Sequence, residues 1–225
     1  MARFIGGLAA VAVLALAPTA QATSLPPGGT VAGPGTIVPT YVGTVSDVVP
    51  FQNSTFNFNG NVGFVSSAVV PASGGLDFVY QVNVSVGQIT GLAISSFGNT
   101  TTNVSQTSDN TNLHNTNQFF PGNVSVATYD RSAGTGNTID VAFSGSGVTN
   151  SQASFLIIVH TNSPTFALSQ LKVNSMGNFL SVQTLAPVPE PGTIFLWAGT
   201  LGGFVCFIGW EKLRKRYGAQ SGWIG

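Results

Sequence analysis

Residues 76–86 restrict the fold of this chain more than any other segment, because apolar and polar side chains alternate along them. Leucine, phenylalanine, tyrosine and valine occupy the even positions, and the polar residues among the odd positions are Asp77, Gln81, Asn83 and Ser85. A period of two puts the two sets on opposite faces of a β-strand. We therefore expect a strand here whose apolar face lies on a hydrophobic core.

The same alternation predicts further strands at residues 41–49, 55–58, 62–70, 88–97, 124–129, 138–143, 154–161, 166–173 and 179–184. No helical pattern competes with them before residue 193. Residues 155–159 are apolar on both faces, which is typical of a central strand covered on both sides. Short strands separated by Gly, Asn and Ser turns predict an all-β domain, an antiparallel two-sheet sandwich of jelly-roll or immunoglobulin-like type.

The N-terminus has the three parts of a secretory signal peptide. Arg3 gives the positive region, residues 8–17 the apolar region, and Ala20 and Ala22 the small residues of a cleavage site. We expect residues 1–22 to form a signal helix that is removed after Ala22. Residues 23–39, rich in proline and glycine, are expected to be a flexible linker without chemistry. The β-sandwich ectodomain is then residues 40–186.

The C-terminal segment reads as a hinge, a membrane helix and a basic stop. Pro189 and Pro191, on either side of Glu190, prevent a helix from running through the hinge. Residues 193–210 contain no charge and, at 18 residues, would span about 27 Å as a helix, just enough for a bilayer core. The cations that follow favour the cytoplasmic side; they are Lys212, Arg214, Lys215 and Arg216.

This tail resembles the PEP-CTERM sorting signal of exported bacterial proteins, here at residues 187–217 with a short cytoplasmic tail at 218–225. The resemblance implies export through the Sec translocon and recognition by a membrane-embedded exosortase. It also implies a plasma-membrane precursor, with the N-terminal domain outside, that is cut and delivered to the cell surface or exopolysaccharide matrix. Residues 76–81 and 155–162 also look like parts of a β-rich ectodomain that recurs among PEP-CTERM proteins.

The charge pattern argues against nucleic-acid binding. Only 6% of the residues are charged, against about 25% in a typical domain. Between residues 23 and 188 there are five aspartates, and the basic residues are Arg131 and Lys172 alone. This region therefore has a net charge of about −3. Binding to phosphates needs clustered Lys and Arg.

The residues that could carry chemistry form no catalytic pattern. Asp77 and Asp140 read as solvent-face strand residues, and Asp130 beside Arg131 reads as the start of a hairpin turn. The two histidines, His114 and His160, lack the spacing of metal ligands. We expect no enzyme, no metal site and no cofactor; calcium in the 129–140 loop is the alternative left open, although the carboxylate spacing of an EF-hand is absent.

Residues 98–112 are mostly Asn, Thr and Ser, which predicts a long exposed loop at residues 98–118. It is either a low-complexity insertion or a hydrogen-bonding surface for sugar hydroxyls. Three functions follow for the whole chain. The first is a non-enzymatic cell-surface or matrix protein; the second is a carbohydrate-binding module for exopolysaccharide, with Tyr41, Tyr80 or Tyr129 exposed; the third is a secreted hydrolase with an Asp pair.

Overall fold

A computed structural model describes residues 22–33, 50–108 and 119–188 of the chain. The strands of this part are β1 (Thr23–Ser24), β2 (Thr30–Ala32), β3 (Phe51–Phe58), β4 (Asn61–Ala72), β5 (Gly75–Val86), β6 (Gln88–Ile89), β7 (Gly91–Ile94), β8 (Thr102–Thr107), β9 (Val126–Arg131), β10 (Ile139–Phe143), β11 (Val148–Thr149), β12 (Gln152–Ala153), β13 (Leu156–Thr161), β14 (Phe166–Ser175) and β15 (Asn178–Pro187). The predicted all-β class is confirmed for these residues.

The strands form two large sheets and one small one. The first sheet has the order β1-β8-β13-β5-β4-β3, with β12 also paired to β5, and the second has the order β15-β14-β7-β10-β9-β2. Strands β6 and β11 form the two-stranded third sheet. Every pairing of these strands is antiparallel. Two large antiparallel sheets are what the alternating pattern predicted.

A single hydrophobic cluster joins the two large sheets, as in a β-sandwich. The first sheet contributes residues such as Phe78, Tyr80 and Val159, and the second contributes residues such as Leu92 and Val141. The even positions of β5 point into this cluster as predicted, but Val86, at the end of the strand, is 53% exposed. The alternation of residues 76–86 therefore fixes which face of the first sheet is internal.

Strand β13 is covered on both sides, as its apolar run predicted. Ile157 and Val159 belong to the main core. Leu156 and Ile158 point the other way, into a second buried cluster that includes Phe119 from the 119–125 segment. The outer face of the first sheet is thus partly covered by the 119–125 segment.

The expected exposed loop at residues 98–118 is wrong for residues 102–107, whereas residues 98–101 lie outside any strand, as predicted. Residues 102–107 form β8, which lies between β1 and β13 in the first sheet. Its polar side chains are buried except for that of Asn103, which is half-buried. The Gln106 amide, for example, accepts from Val126 N at 2.7 Å and donates to Val126 O at 3.4 Å. A buried polar strand is stable when its polar groups are paired; residues 109–118 lie outside the described part.

The expected linker is also wrong for residues 23–33. Strand β1 pairs with β8 and β2 pairs with β9, so this segment supplies an edge strand to each sheet. Leu25 between them has no exposed surface and belongs to the main core. The proline and glycine residues make the turn between the two strands, in which Gly29 N donates to Pro26 O at 2.9 Å. Residues 34–39 lie outside the described part.

Arg131, the last residue of β9, fastens several segments together. Its side chain is buried, with 4% of the residue exposed. Nε donates to Gly136 O at 2.9 Å, Nη1 to Leu25 O at 3.0 Å, and Nη2 to Phe97 O at 2.7 Å and Thr100 O at 2.9 Å. The predicted hairpin after Asp130 is confirmed by the β9–β10 pairing, and one cation holds its turn to both sheets.

Several predictions fall on residues outside the described part. They are the signal peptide up to residue 21, the strand at 41–49, the helix at 193–210 and the basic stop. Within the described residues, no helix is long and apolar enough to cross a membrane.

Replacing Leu25 with Ala tests whether residues 23–33 belong to the folded domain. We expect the free energy of unfolding of the full-length chain to fall by about 2–5 kcal/mol, since a fully buried leucine is lost. Urea unfolding followed by circular dichroism measures this. The matched control is Ser24→Ala, because Ser24 is exposed on the adjoining strand. Equal stability of the two variants would show that the segment is not part of the fold.

Candidate functional site

An open pocket of about 510 Å³ lies on the outer face of the first sheet. The odd positions of β5 point to this face, so Asn83 and Ser85 line the pocket, and Phe64 of β4 lies opposite Asn83. Strand β12 supplies Gln152 from the other side of β5. The 119–125 segment completes the wall with Phe120, Pro121 and Asn123.

The buried side chain of Gln81 positions Phe120. Its Nε2 donates to Phe120 O at 2.7 Å and to Ser154 O at 2.9 Å, and its Oε1 accepts from Phe120 N at 2.8 Å. The Phe120 ring then packs edge-on against Phe64, with 6.0 Å between the ring centroids and 63° between the planes. Phe120 remains 44% exposed. A fixed backbone therefore carries an aromatic ring that lines the pocket and is open to solvent.

The segment after Phe120 is held close to β12 by backbone contacts. Asn123 N donates to Ala153 O at 3.0 Å, and Ala153 N donates to Asn123 Oδ1 at 3.2 Å. Gly122 permits this approach, because a Cβ there would lie 2.5 Å from Ser154 O. The pocket wall is therefore built on paired backbone and not on a free loop.

The pocket is neutral and rich in amides and hydroxyls. Its polar side chains are Asn83, Ser85, Asn123, Ser151 and Gln152, and no ionisable side chain lines it. Gln152 Oε1 is used internally, accepting from Thr149 N at 2.9 Å and from Thr149 Oγ1 at 2.7 Å. Asn83 Nδ2 is buried and has no hydrogen-bond partner among the described residues. A buried unpaired donor costs about 1–3 kcal/mol of folding free energy, so Asn83 Nδ2 is a hydrogen-bond donor that the described fold leaves unused.

A second polar arrangement lies on the outer face of the second sheet. Asp130 and Asp140 are directly opposite each other on β9 and β10. Thr30 Oγ1 donates to Asp130 Oδ1. Partial burial, followed by the charge of Asp130, raises the pKa of Asp140, and Lys172 acts in the opposite direction. Nothing in the sequence indicated that these two carboxylates would be paired. They are opposite each other because of the register between β9 and β10.

Asp77 lies on the outer face of the first sheet, but its side chain is largely covered and not open to solvent as predicted. His160 Nδ1 lies 2.7 Å from Asp77 Oδ1, and the Asp77 side chain is only 14% exposed. Burial raises the pKa of Asp77, and the hydrogen bond and charge of His160 oppose that shift. Asp77 is therefore held against His160, and its register does not bring it to the Asp130–Asp140 pair. Asp140 is exposed, as predicted.

In the 129–140 loop, where calcium was the alternative left open, the cation in contact with the loop is the guanidinium of Arg131. The carbonyl of Gly136 accepts from the Arg131 guanidinium, and Gly136, at φ 65°, has no room for a Cβ, which would lie 2.5 Å from Arg131 Nε. Among the described residues, no three His, Cys, Asp or Glu side chains come together as metal ligands. The residues of this loop therefore bind a guanidinium in the structure.

The tyrosines expected at an exposed carbohydrate site are buried. Tyr80 and Tyr129 have no exposed surface, and their hydroxyls donate to Leu185 O at 2.8 Å and Ser105 O at 3.0 Å. Burial raises the pKa of both hydroxyls. The expectation is wrong for these two residues, and Tyr41 lies outside the described part.

The sequence pattern put Asn83 and Ser85 on the outer face, but it did not identify Phe120 as part of a site. One signal was available: Phe119 and Phe120 are adjacent, directly before Pro121, and neighbouring side chains in extended backbone point in opposite directions. Phe119 is indeed buried, and Phe120 is not. The link between Gln81 and Phe120, 39 residues apart, had no signal in the sequence.

The predicted sorting residues Pro189, Glu190 and Pro191 and the predicted basic stop lie outside the described part, as does Ala20. Ala22 is described and exposed, directly before β1. No protein-family model matches the chain, and no curated protein or solved structure was found to match it.

Replacing Asp140 with Asn tests the carboxylate pair. The pKa of Asp140 is higher in the folded chain, so folding takes up a proton, and the stability of the parent rises as pH falls through this range. At pH 7 we expect Asp140→Asn to stabilise the fold by roughly 0.2–1 kcal/mol, because two like charges are no longer opposed. The gain should disappear towards pH 4. Urea unfolding at several pH values measures it, and a less stable variant at pH 7 would contradict the arrangement.

Proposed function

We propose that this chain is an exported, non-enzymatic protein of the cell surface or exopolysaccharide matrix, sorted through a C-terminal PEP-CTERM signal that an exosortase processes. The sequence of the tail carries this proposal: Pro189, Glu190 and Pro191, then the uncharged residues 193–210, then the basic residues 212–216. In a protein with this tail, the domain before the uncharged residues is exported, and the basic end stays in the cytoplasm.

The end of the described domain supports a cut in this region. The last strand ends at Pro187, and Val188 is still attached, since its N donates to Thr165 O at 3.2 Å and Ser163 Oγ donates to Val188 O at 3.2 Å. The last strand therefore ends where the proposed signal, residues 187–217, begins, and Val188 lies between this strand and Pro189. A cut at or after Pro189 leaves every described strand in place.

The finer fold type is part of the same proposal. The order β4-β5-β13-β8 in the first sheet and β15-β14-β7 in the second follows the order of the seven-strand immunoglobulin-type sandwich. The β9–β10 hairpin extends the second sheet beyond β7. This order favours an immunoglobulin-like arrangement over a jelly roll.

A non-enzymatic role agrees with where the carboxylates lie. Asp130 and Asp140 are exposed on a sheet face, and Asp77 is held by His160 on the other sheet. The amide-lined pocket supports contact with a neutral matrix polymer as the task of the domain. This favours the carbohydrate-binding alternative over the hydrolase.

The mass of the protein recovered from the cell surface tests the sorting proposal. We expect a chain that begins at Thr23 and ends near Pro189, without Trp197 and Trp210. Glu190→Ala should leave the precursor in the membrane fraction, because the signal is no longer recognised. Asp140→Asn is the control, as it changes an acidic residue outside the signal and should be processed normally. A surface-exposed protein that retains the tail would contradict the proposal.

A further inference from the structure

The pocket on the outer face of the first sheet has the character of a ligand site. Its volume of about 510 Å³ is within the range of about 300–1,000 Å³ that is typical of small-molecule sites. It combines two aromatic rings with several convergent polar groups, which is the usual composition of such sites. We propose that this pocket binds a neutral glycan, one segment of a polysaccharide chain, through Phe64, Phe120 and the Asn83 amide.

The chemistry of the lining selects this class of ligand. Amides and hydroxyls donate and accept hydrogen bonds, as sugar hydroxyls do. The absence of ionisable side chains from the lining gives no partner for a phosphate, a carboxylate or an ammonium group. Phe120 is 44% exposed, and an aromatic ring at a pocket wall can pack on the apolar C–H face of a pyranose ring. A neutral sugar is the ligand that uses both features.

Asn83 gives the pocket an unused donor. Its Nδ2 has no partner among the described residues and is covered in the free protein. A ligand hydroxyl in the pocket reaches this donor when the Asn83 amide turns towards it. Binding then pairs a donor that folding leaves unpaired, so part of the affinity comes from relief of that cost.

The frame around the pocket favours selective binding of an extended chain. Gln81 fixes the backbone of Phe120, and Asn123 is bonded to Ala153. The pocket is open to solvent on the sheet face, so a polymer can lie across it without a free end. A fixed wall lowers the entropy cost of binding. This inference rests on the proposed matrix function for the source of the glycan, but its chemistry depends only on the described residues.

Affinity electrophoresis and calorimetry of the full-length chain in mild detergent test the site. The neutral probes are dextran, mannan and cellohexaose, and alginate is the acidic probe. Exopolysaccharide extracted from the producing cells is tested alongside them. We expect at least one neutral probe to bind, with an affinity that is unchanged between pH 5 and 9 because no ionisable group lines the pocket. Binding of alginate alone, or of no probe at millimolar concentration, would overturn the inference.

Two variants localise the binding. Phe120→Ala and Asn83→Leu should each weaken it by about tenfold or more, the equivalent of about 1.4 kcal/mol. Asn83→Leu should leave the free protein as stable as the parent or more so, since an unpaired buried donor is removed. This combination separates a ligand-binding role from a structural one. Unchanged affinity in both variants would place the ligand elsewhere and overturn the assignment.

Phe179→Ala is the matched control for Phe120→Ala. Phe179 is 60% exposed on the second sheet, where Lys172 Nζ lies 4.7 Å from its ring centroid. Its removal should leave glycan affinity within about twofold, and an equal loss in this variant would contradict the site. If the surface protein is correctly processed but binds no glycan, only the pocket inference fails. If glycan binds but the tail is retained, only the sorting proposal fails.

Discussion

The described fold depends on a buried positive charge that is held by backbone carbonyls alone. Among the described residues, no carboxylate is paired with Arg131; its guanidinium donates to four carbonyls in three separate segments. Those segments are the N-terminal stretch around Leu25, the connection between β7 and β8, and the turn between β9 and β10. Burial lowers the pKa of Arg131, but a guanidinium stays charged under all conditions of folding. Through these four hydrogen bonds Arg131 connects the N-terminal segment to both sheets. Removal of its guanidinium would leave the four carbonyls without this donor.

Neutral amides act in the same way elsewhere in the domain. Gln81 ties the 119–125 segment to the first sheet, and Gln106 ties β8 to the start of β9. Each amide meets a backbone N–H and a backbone C=O at once, so a buried polar side chain replaces a missing pair of ladder bonds. A chain with only 6% charged residues can thus join its segments with little use of ion pairs. The pocket is one product of this chemistry, because its wall is held by Gln81.

The sequence was sufficient for the elements with regular alternation. Strands β4, β5 and β13 of the first sheet and β14 of the second could be predicted, because a period of two also determines which residues face the core. Strand β8 could not, because its composition is that of a loop and its stability comes from partners in β1, β9 and β13. The two strands within residues 23–33 could not be predicted for a similar reason. Two or three residues are too few for a pattern, and only the neighbouring strands make them part of a sheet. The pocket was partly predictable, since the alternation put Asn83 on the outer face but did not identify the 119–125 segment that completes the pocket wall.

Replacement of Arg131 tests most directly whether this cation joins the segments. We predict that Arg131→Met lowers the free energy of unfolding of the full-length chain by about 3–5 kcal/mol, because buried carbonyls lose their charged partner. The free energy of unfolding of Arg131→Lys should lie between those of the parent and Arg131→Met, since an ammonium has three donors but not the planar fork of a guanidinium. Amide hydrogen exchange, read at the same time, should increase first in residues 23–32 and 97–102. A methionine variant within about 1 kcal/mol of the parent, with unchanged exchange in these segments, would contradict the account.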